Sequence, residues 1–260
     1  MAKAVTSPLL QAVNLSKSFG GLPAVQRVSL TVNPGSITGL IGPNGAGKTT
    51  LFNLLAGSLR PDNGQVFFQG QNITGLPPHE ICRRGLVRTF QVARVFSRLS
   101  VLDNLLLAAP DQLGEEMWPV FFQPKRVAQQ ERELRQQAME ILESVGLAAK
   151  AHDYAGSLSG GQRKLLEMAR ALMTRPQLML LDEPAAGVNP TLINQMCDYI
   201  QKWNKNGLTF LIIEHNMDVI MSLCQQVWVL AEGKNLAVGT PAEIQTNPIV
   251  LEAYLGGGEA

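Results

Sequence analysis

Cysteine is scarce, net charge is almost nil, and no long apolar run occurs anywhere in these 260 residues. Each shortage removes a class of protein. The three cysteines, Cys82, Cys197 and Cys224, are odd in number and form no C-x-x-C pair, which argues against a disulfide frame or a metal site. They are expected as small buried apolar residues of a reducing compartment. A formal net charge of +1 offers none of the basic excess that nucleic-acid binders carry. No stretch approaches the roughly 18 apolar residues that a membrane span needs, and the opening MAKAVTSPLL lacks a signal-like apolar core. The chain is therefore expected to be soluble and cytosolic. Internal repeats and low-complexity tracts are also missing, and only the final GGGEA reads as disordered.

What remains is a chain long enough for one large domain, or for a domain with a subdomain, in which strand and helix signals alternate. Residues 9–15, 25–32 and 65–68 read as a small antiparallel sheet with turns at Gly20-Gly21, Pro34-Gly35 and residues 61–64 (PDNG). Residues 37–41 (ITGLI), 178–182 (LMLLD) and 209–213 (TFLII) are short apolar runs that suit buried parallel strands. Pro77-Pro78 opens a helix, and residues 101–146 are mostly helical. There Val127, Leu134, Ala138, Ile141, Leu142 and Val145 recur at helical spacing and are expected to form a subdomain core. Residues 118–122 (WPVFF) sit between helices and read equally as core or as an exposed patch. The fold class is α/β.

Chemistry concentrates after the first parallel strand. Residues 42–49 (GPNGAGKT) fit the phosphate-loop pattern G-x-x-x-x-G-K-[ST] in its proper place, between a strand and a helix. Gly42, Gly45 and Gly47, with Asn44 between them, leave backbone N–H groups free to wrap a β-phosphate, and the helix beginning near Lys48 points its positive end the same way. Lys48 is placed to reach the β- and γ-phosphates, the Thr49 hydroxyl to ligate Mg2+, and Thr50 lies beside them in the first turn. Asp182 ends a predicted central strand and is expected to hold Mg2+ through water. Glu183 follows it as the candidate general base for the attacking water. His215 lies just past the strand at 209–213, where an imidazole would link the γ-phosphate to Glu183. Phe19, in a turn, is either a core residue or a base-stacking one. Gln91 stands at a subdomain junction, and Ser159 is a good helix N-cap followed by Gly160 and Gly161, which allow close backbone approach.

Taken in order, Phe19, the phosphate loop, Gln91, LSGGQ (residues 158–162), LMLLDEP and His215 resemble the nucleotide-binding subunit of ABC transporters over essentially the whole chain. LSGGQ discriminates, because other phosphate-loop ATPases lack it. The resemblance implies a P-loop NTPase (RecA-like) core from residues 1–90 and 175–260, with an antiparallel β subdomain, and a helical subdomain at 91–174. It also implies that Phe19 stacks on adenine and that Gln91 senses Mg2+ and the membrane partner. Ser159, Gly160, Gly161 and Gln162 would cap the γ-phosphate bound by an opposite subunit, so that two cassettes work as a sandwich around ATP. Residues 85–91 (GLVRTFQ), 185–190 (AAGVNP) and 214–217 (EHNM) look like the ATPases of branched-chain or neutral amino acid importers, of the LivG type. Urea-importer and lipopolysaccharide-exporter ATPases are similar in length and order, and a soluble non-transport ATPase of the same family is the more distant alternative. The implied partners are a second ATPase chain (LivF-like, or a second copy), two membrane permease subunits and an extracytoplasmic solute-binding protein. The implied location is the inner face of the cell membrane, with no nucleic acid involved. Asn189 stands where many relatives have Asp.

Overall fold

The computed structural model describes residues 7–89, 93–115 and 117–255. In chain order these form β1 (Leu10–Phe19), β2 (Leu22–Val32), β3 (Ile37–Ile41), α1 (Lys48–Leu55), β4 (Asn63–Phe68), β5 (Gln71–Asn72), α2 (Pro78–Arg83) and β6 (Leu86–Arg88). There follow α3 (Val101–Leu106), α4 (Met117–Phe122), α5 (Pro124–Ser144) and α6 (Gly160–Met173), then β7 (Leu178–Asp182), α7 (Pro190–Lys205), β8 (Thr209–Ile213) and α8 (Met217–Leu223). The last elements are β9 (Gln226–Ala231), β10 (Lys234–Gly239), α9 (Pro241–Gln245) and α10 (Pro248–Leu255). The chain divides into two compact units: residues 1–88, 177–186 and 193–260 in one, and residues 89–176 and 187–192 in the other.

The larger unit contains two sheets. One is antiparallel, in the order β2-β1-β4-β5. The other runs β10-β9-β3-β8-β7-β6, parallel throughout except for the antiparallel edge strand β10. Every residue of β3, β7 and β8 is buried, which is why these strands read as unbroken apolar runs and not as alternating ones. In β2 the pattern does alternate, with Val28, Leu30 and Val32 inward, as one covered face requires. A single apolar cluster joins Leu10, Val28 and Phe68 of the antiparallel sheet to Leu51 and Phe52 of α1 and to Leu40, Leu180 and Leu211 of the parallel one.

In the second unit Leu134, Ala138, Leu142 and Val145 are buried as their spacing predicts, while Val127 and Ile141 are half-buried at the margin of that stripe. Residues 118–122 are not a connection but most of a short helix, α4. Pro119 is buried, whereas Met117, Trp118, Val120, Phe121 and Phe122 are all exposed, and the Trp118 and Phe122 rings, one turn apart, meet at 4.0 Å with a tilt of 32°. Among the described residues no helix is long and apolar enough to cross a membrane. Cys224 is buried as expected, but Cys82 and Cys197 are only half-buried because both lie on helices facing partly outward.

Candidate active site

The carboxyl ends of β3, β7 and β8 assemble the candidate site, because neighbouring parallel strands deliver their following loops to the same edge. After β3 the chain turns through residues 42–47 into α1. Gly47 caps that helix at φ 93°, where a Cβ would lie 2.3 Å from the Ala24 carbonyl oxygen, so only glycine fits. Among the described residues no side chain caps α1 at that end. The first-turn N–H groups of an eight-residue helix are thus left for an anion, and Asn44, Gly45 and Thr49 are exposed around them. Lys48 Nζ donates to the carbonyls of Gly42 and Pro43 at 2.7 and 2.9 Å. Burial pushes its ammonium below the usual lysine range, against the opposing pull of the Glu183 and Asp182 carboxylates. Those two charges act on Lys48 only because the loop and the end of β7 share one site. The Tyr254 phenol from α10 also reaches this loop: burial raises it, and the facing Gly42 backbone N–H partly offsets the rise.

Asp182, the last residue of β7, is only 5% exposed. Its Oδ2 accepts from Arg88 Nη2 at 2.9 Å. Glu183 adopts a left-handed backbone, φ 47°, and its N–H donates to the Ile213 carbonyl at 3.0 Å. A non-glycine residue held in that region stores strain of the order of 1–3 kcal/mol, and such strain gathers at functional positions. Its carboxylate Oε1 lies 3.9 Å from His215 Nδ1, close enough for charge interaction but too long for a hydrogen bond. His215 itself is 63% exposed at the side chain, which leaves its ring open to a ligand. Phe19 is 47% exposed, so it is not a core residue, and Lys17 Nζ lies 5.9 Å from its ring centroid. Lys48, Asp182, Glu183 and His215 are therefore gathered in one unit. Gln91 lies outside the described residues.

The second unit carries the LSGGQ segment. Ser159 caps α6 in a reciprocal box: its hydroxyl accepts from Gln162 N–H at 3.3 Å, and Gln162 Oε1 accepts from Ser159 N–H at 3.0 Å. Gln162 thus serves its own helix start as well as standing in the motif. Gly160 faces open space, since a Cβ there would touch nothing within 4 Å. Asn189 Oδ1 accepts the Leu192 N–H at 2.9 Å, so the residue that replaces the commoner Asp does the N-capping that either side chain can do.

Two site-supporting residues were not singled out from the sequence. Glu214 is 1% exposed and accepts from the backbone N–H groups of Ala185, His215 and Asn216. Arg88 is buried against Asp182. The available signal was a charge ending an apolar run, TFLII-E and GLV-R, where an ordinary surface turn would serve as well.

Residues 25–186 match the family model described as ABC transporter, and residues 234–260 match the one described as branched-chain amino acid ATP-binding cassette transporter. The chain belongs to the ABC transporter family. The cassette is 45% identical to the probable branched-chain amino acid transport ATP-binding protein LivG of Archaeoglobus fulgidus, covering 95% of each chain. It is 42% identical to the high-affinity branched-chain amino acid transport ATP-binding protein BraF of Pseudomonas aeruginosa, covering 97% of this chain and 99% of the relative. Among solved structures it is similar to a nucleotide-free ATP-binding cassette from an ABC transporter, with TM-score 0.82 and 37% identity over 95% of this chain and 98% of that one. An ATP-binding cassette of an ABC transporter in its ADP conformation gives the same TM-score at 36% identity, over 96% of this chain and all of the other. The expected fold class and family are thus borne out: this cassette is a P-loop NTPase of the ABC ATPase family, whose members bind nucleotide.

Proposed function

We propose that this cassette hydrolyses ATP to power uptake of branched-chain or neutral amino acids through two partner permease subunits at the inner face of the cell membrane. The observation that carries the reading is the grouping of Lys48, Asp182, Glu183 and His215 at the strand ends that follow the phosphate loop. The amino acid assignment is supported by relatives named for branched-chain amino acid transport that align along almost the entire chain. In this reading a second ATPase chain, LivF-like or a copy of this one, completes each site, and an extracytoplasmic solute-binding protein delivers the substrate.

In this reading each residue has a role of its own. Phe19 stacks on adenine. The backbone N–H groups of residues 44–50 and the Lys48 side chain hold the phosphates, in line with a helix terminus that no side chain caps among the described residues. Glu183 accepts a proton from the attacking water, and the exposed His215 ring orients that water and the γ-phosphate. The oxygen donors Thr49 and Asp182, with Gln91, are those a hard, largely hydrated cation prefers, so they fit Mg2+. That ion would neutralise negative charge on the phosphates of ATP. Ser159, Gly160, Gly161 and Gln162 close over the γ-phosphate held by the partner chain. Closure with ATP turns the permeases, and phosphate release reopens the pair.

An ATPase assay tests this. Turnover should rise when the permease subunits are reconstituted with the cassette in liposomes. Stimulation by DNA or ribosomes instead would place the cassette among the non-transport ATPases of the family.

A further inference from the structure

Arg88 closes β6, whose backbone pairs with β7 so that Arg88 lies level with Leu180, two residues before Asp182. Its side chain is 9% exposed and that of Asp182 is 6% exposed. Nη2 donates to Asp182 Oδ2 at 2.9 Å, and Nη1 donates to Asn53 Oδ1 at 2.5 Å. The guanidinium carbon also lies 5.8 Å from the centroid of the Phe52 ring. Phe52 and Asn53 belong to α1, the helix that the phosphate loop opens. One planar group therefore spans the phosphate-loop helix and the carboxylate at the end of β7.

A buried ion pair adds little net stability, because desolvating two charges cancels most of their attraction. What a rigid two-pronged donor fixes well is direction, which a lysine at the same place would not supply. We propose that Arg88 is a positioning residue for the divalent cation of the ATP site: it clamps Oδ2 of Asp182, sets that carboxylate in register with α1, and so leaves Oδ1 for a water of the Mg2+ shell. The inference rests on the reading of Asp182 as the carboxylate of that site. Since Arg88 stands three residues before Gln91, the strand that carries the clamp also leads directly into the segment expected to face the membrane partner.

The test is a Mg2+ titration followed by thermal melting, in saturating ATP, of the purified wild-type chain and the variants Arg88→Lys, Arg88→Met, Asn53→Ala and Asp182→Asn. Mg2+ should raise the melting temperature of the wild type beyond the rise that ATP gives in EDTA. Asp182→Asn should lose most of that increment; if it keeps it, the reading of Asp182 and the proposal fall together. Arg88→Met and Asn53→Ala should keep the rise given by ATP in EDTA but need about tenfold more Mg2+ for the half-maximal increment, the usual cost of losing an outer-shell partner. Arg88→Lys should fall between them and the wild type, since it restores charge without the fork. Two results would overturn the proposal while leaving Asp182 in place. One is an unchanged Mg2+ midpoint in the Arg88 and Asn53 variants. The other is loss of the rise given by ATP in EDTA in all three, which would make Arg88 a support of the fold alone.

Discussion

Glu214 Oε1 accepts the Ala185 N–H at 2.7 Å, so a buried carboxylate just past β8 holds the turn that follows Glu183. Its other oxygen accepts from His215 and Asn216 at 3.1 and 3.3 Å. One side chain thus fixes the backbone on both sides of the Glu183–His215 pair. Replacing Glu214 with Ala strands these N–H groups, and we expect a loss of about 2–4 kcal/mol in chemical denaturation. Glu214→Gln keeps one acceptor oxygen and should lose less than half as much. Both variants should lower kcat more than they raise the KM for ATP, since neither removes a phosphate-binding group.

Glu183→Gln should leave ATP binding intact, as the amide preserves shape and the strained backbone. Hydrolysis should fall by about 10²–10⁴-fold, the usual contribution of a positioned base. ATP should then accumulate in a long-lived dimer, visible by gel filtration. Hydrolysis at the wild-type rate would remove Glu183 from the role of base.

Ser159→Arg should block hydrolysis without weakening ATP binding to the isolated chain, because the segment is expected to act on a partner's nucleotide. The variant also loses the cap on α6, worth about 1 kcal/mol, which thermal melting will detect. Gln162→Ala removes one half of the capping box and separates the two effects. It should share part of the loss of stability while hydrolysing faster than Ser159→Arg. Failure of monomeric Ser159→Arg to bind ATP would mean that the signature acts within its own chain.

Burial raises the Cys224 thiol from 9.0 to about 12. The unfolded chain therefore releases this proton first, and the thiol's stabilising contribution is complete below pH 9 and is lost as pH rises toward 12. Between those limits the wild type should lose about 1.4 kcal/mol per pH unit relative to Cys224→Ala. Urea denaturation of both proteins at pH 8 and pH 10 will show the difference. Parallel curves would mean that the thiol is not held in its neutral form.

Much of this molecule was legible in its sequence. Strands β3, β7 and β8 declared themselves as five-residue apolar runs because both their faces are covered. The phosphate loop declared itself because its glycines meet backbone constraints that a pattern can express, as Gly47 does. β6 was harder, since three residues are too few for a period; β9 is apolar and buries Val227, Val229 and Leu230 but carries no motif, and β10 buries no residue at all. Arg88 and Glu214 stayed hidden for a different reason. A buried charge is recognised by the partner it meets, and Asn53, Asp182 and Ala185 are remote in the chain or unremarked beside a motif. The exposure of Trp118, Phe121 and Phe122 likewise depends on what α4 packs against, not on its own composition.

In the proposed function this chain couples ATP hydrolysis to amino acid transport. The direct measurement is uptake of radiolabelled leucine, and of a panel of other amino acids, into liposomes holding the permeases, the second ATPase chain and this cassette, with binding protein and amino acid outside and ATP trapped inside. Uptake of branched-chain or neutral amino acids should require ATP, and should disappear when Glu183→Gln replaces the wild-type cassette. Uptake that persists with Glu183→Gln, or ATP hydrolysis at the full rate without movement of any amino acid, would mean that this cassette does not power amino acid uptake.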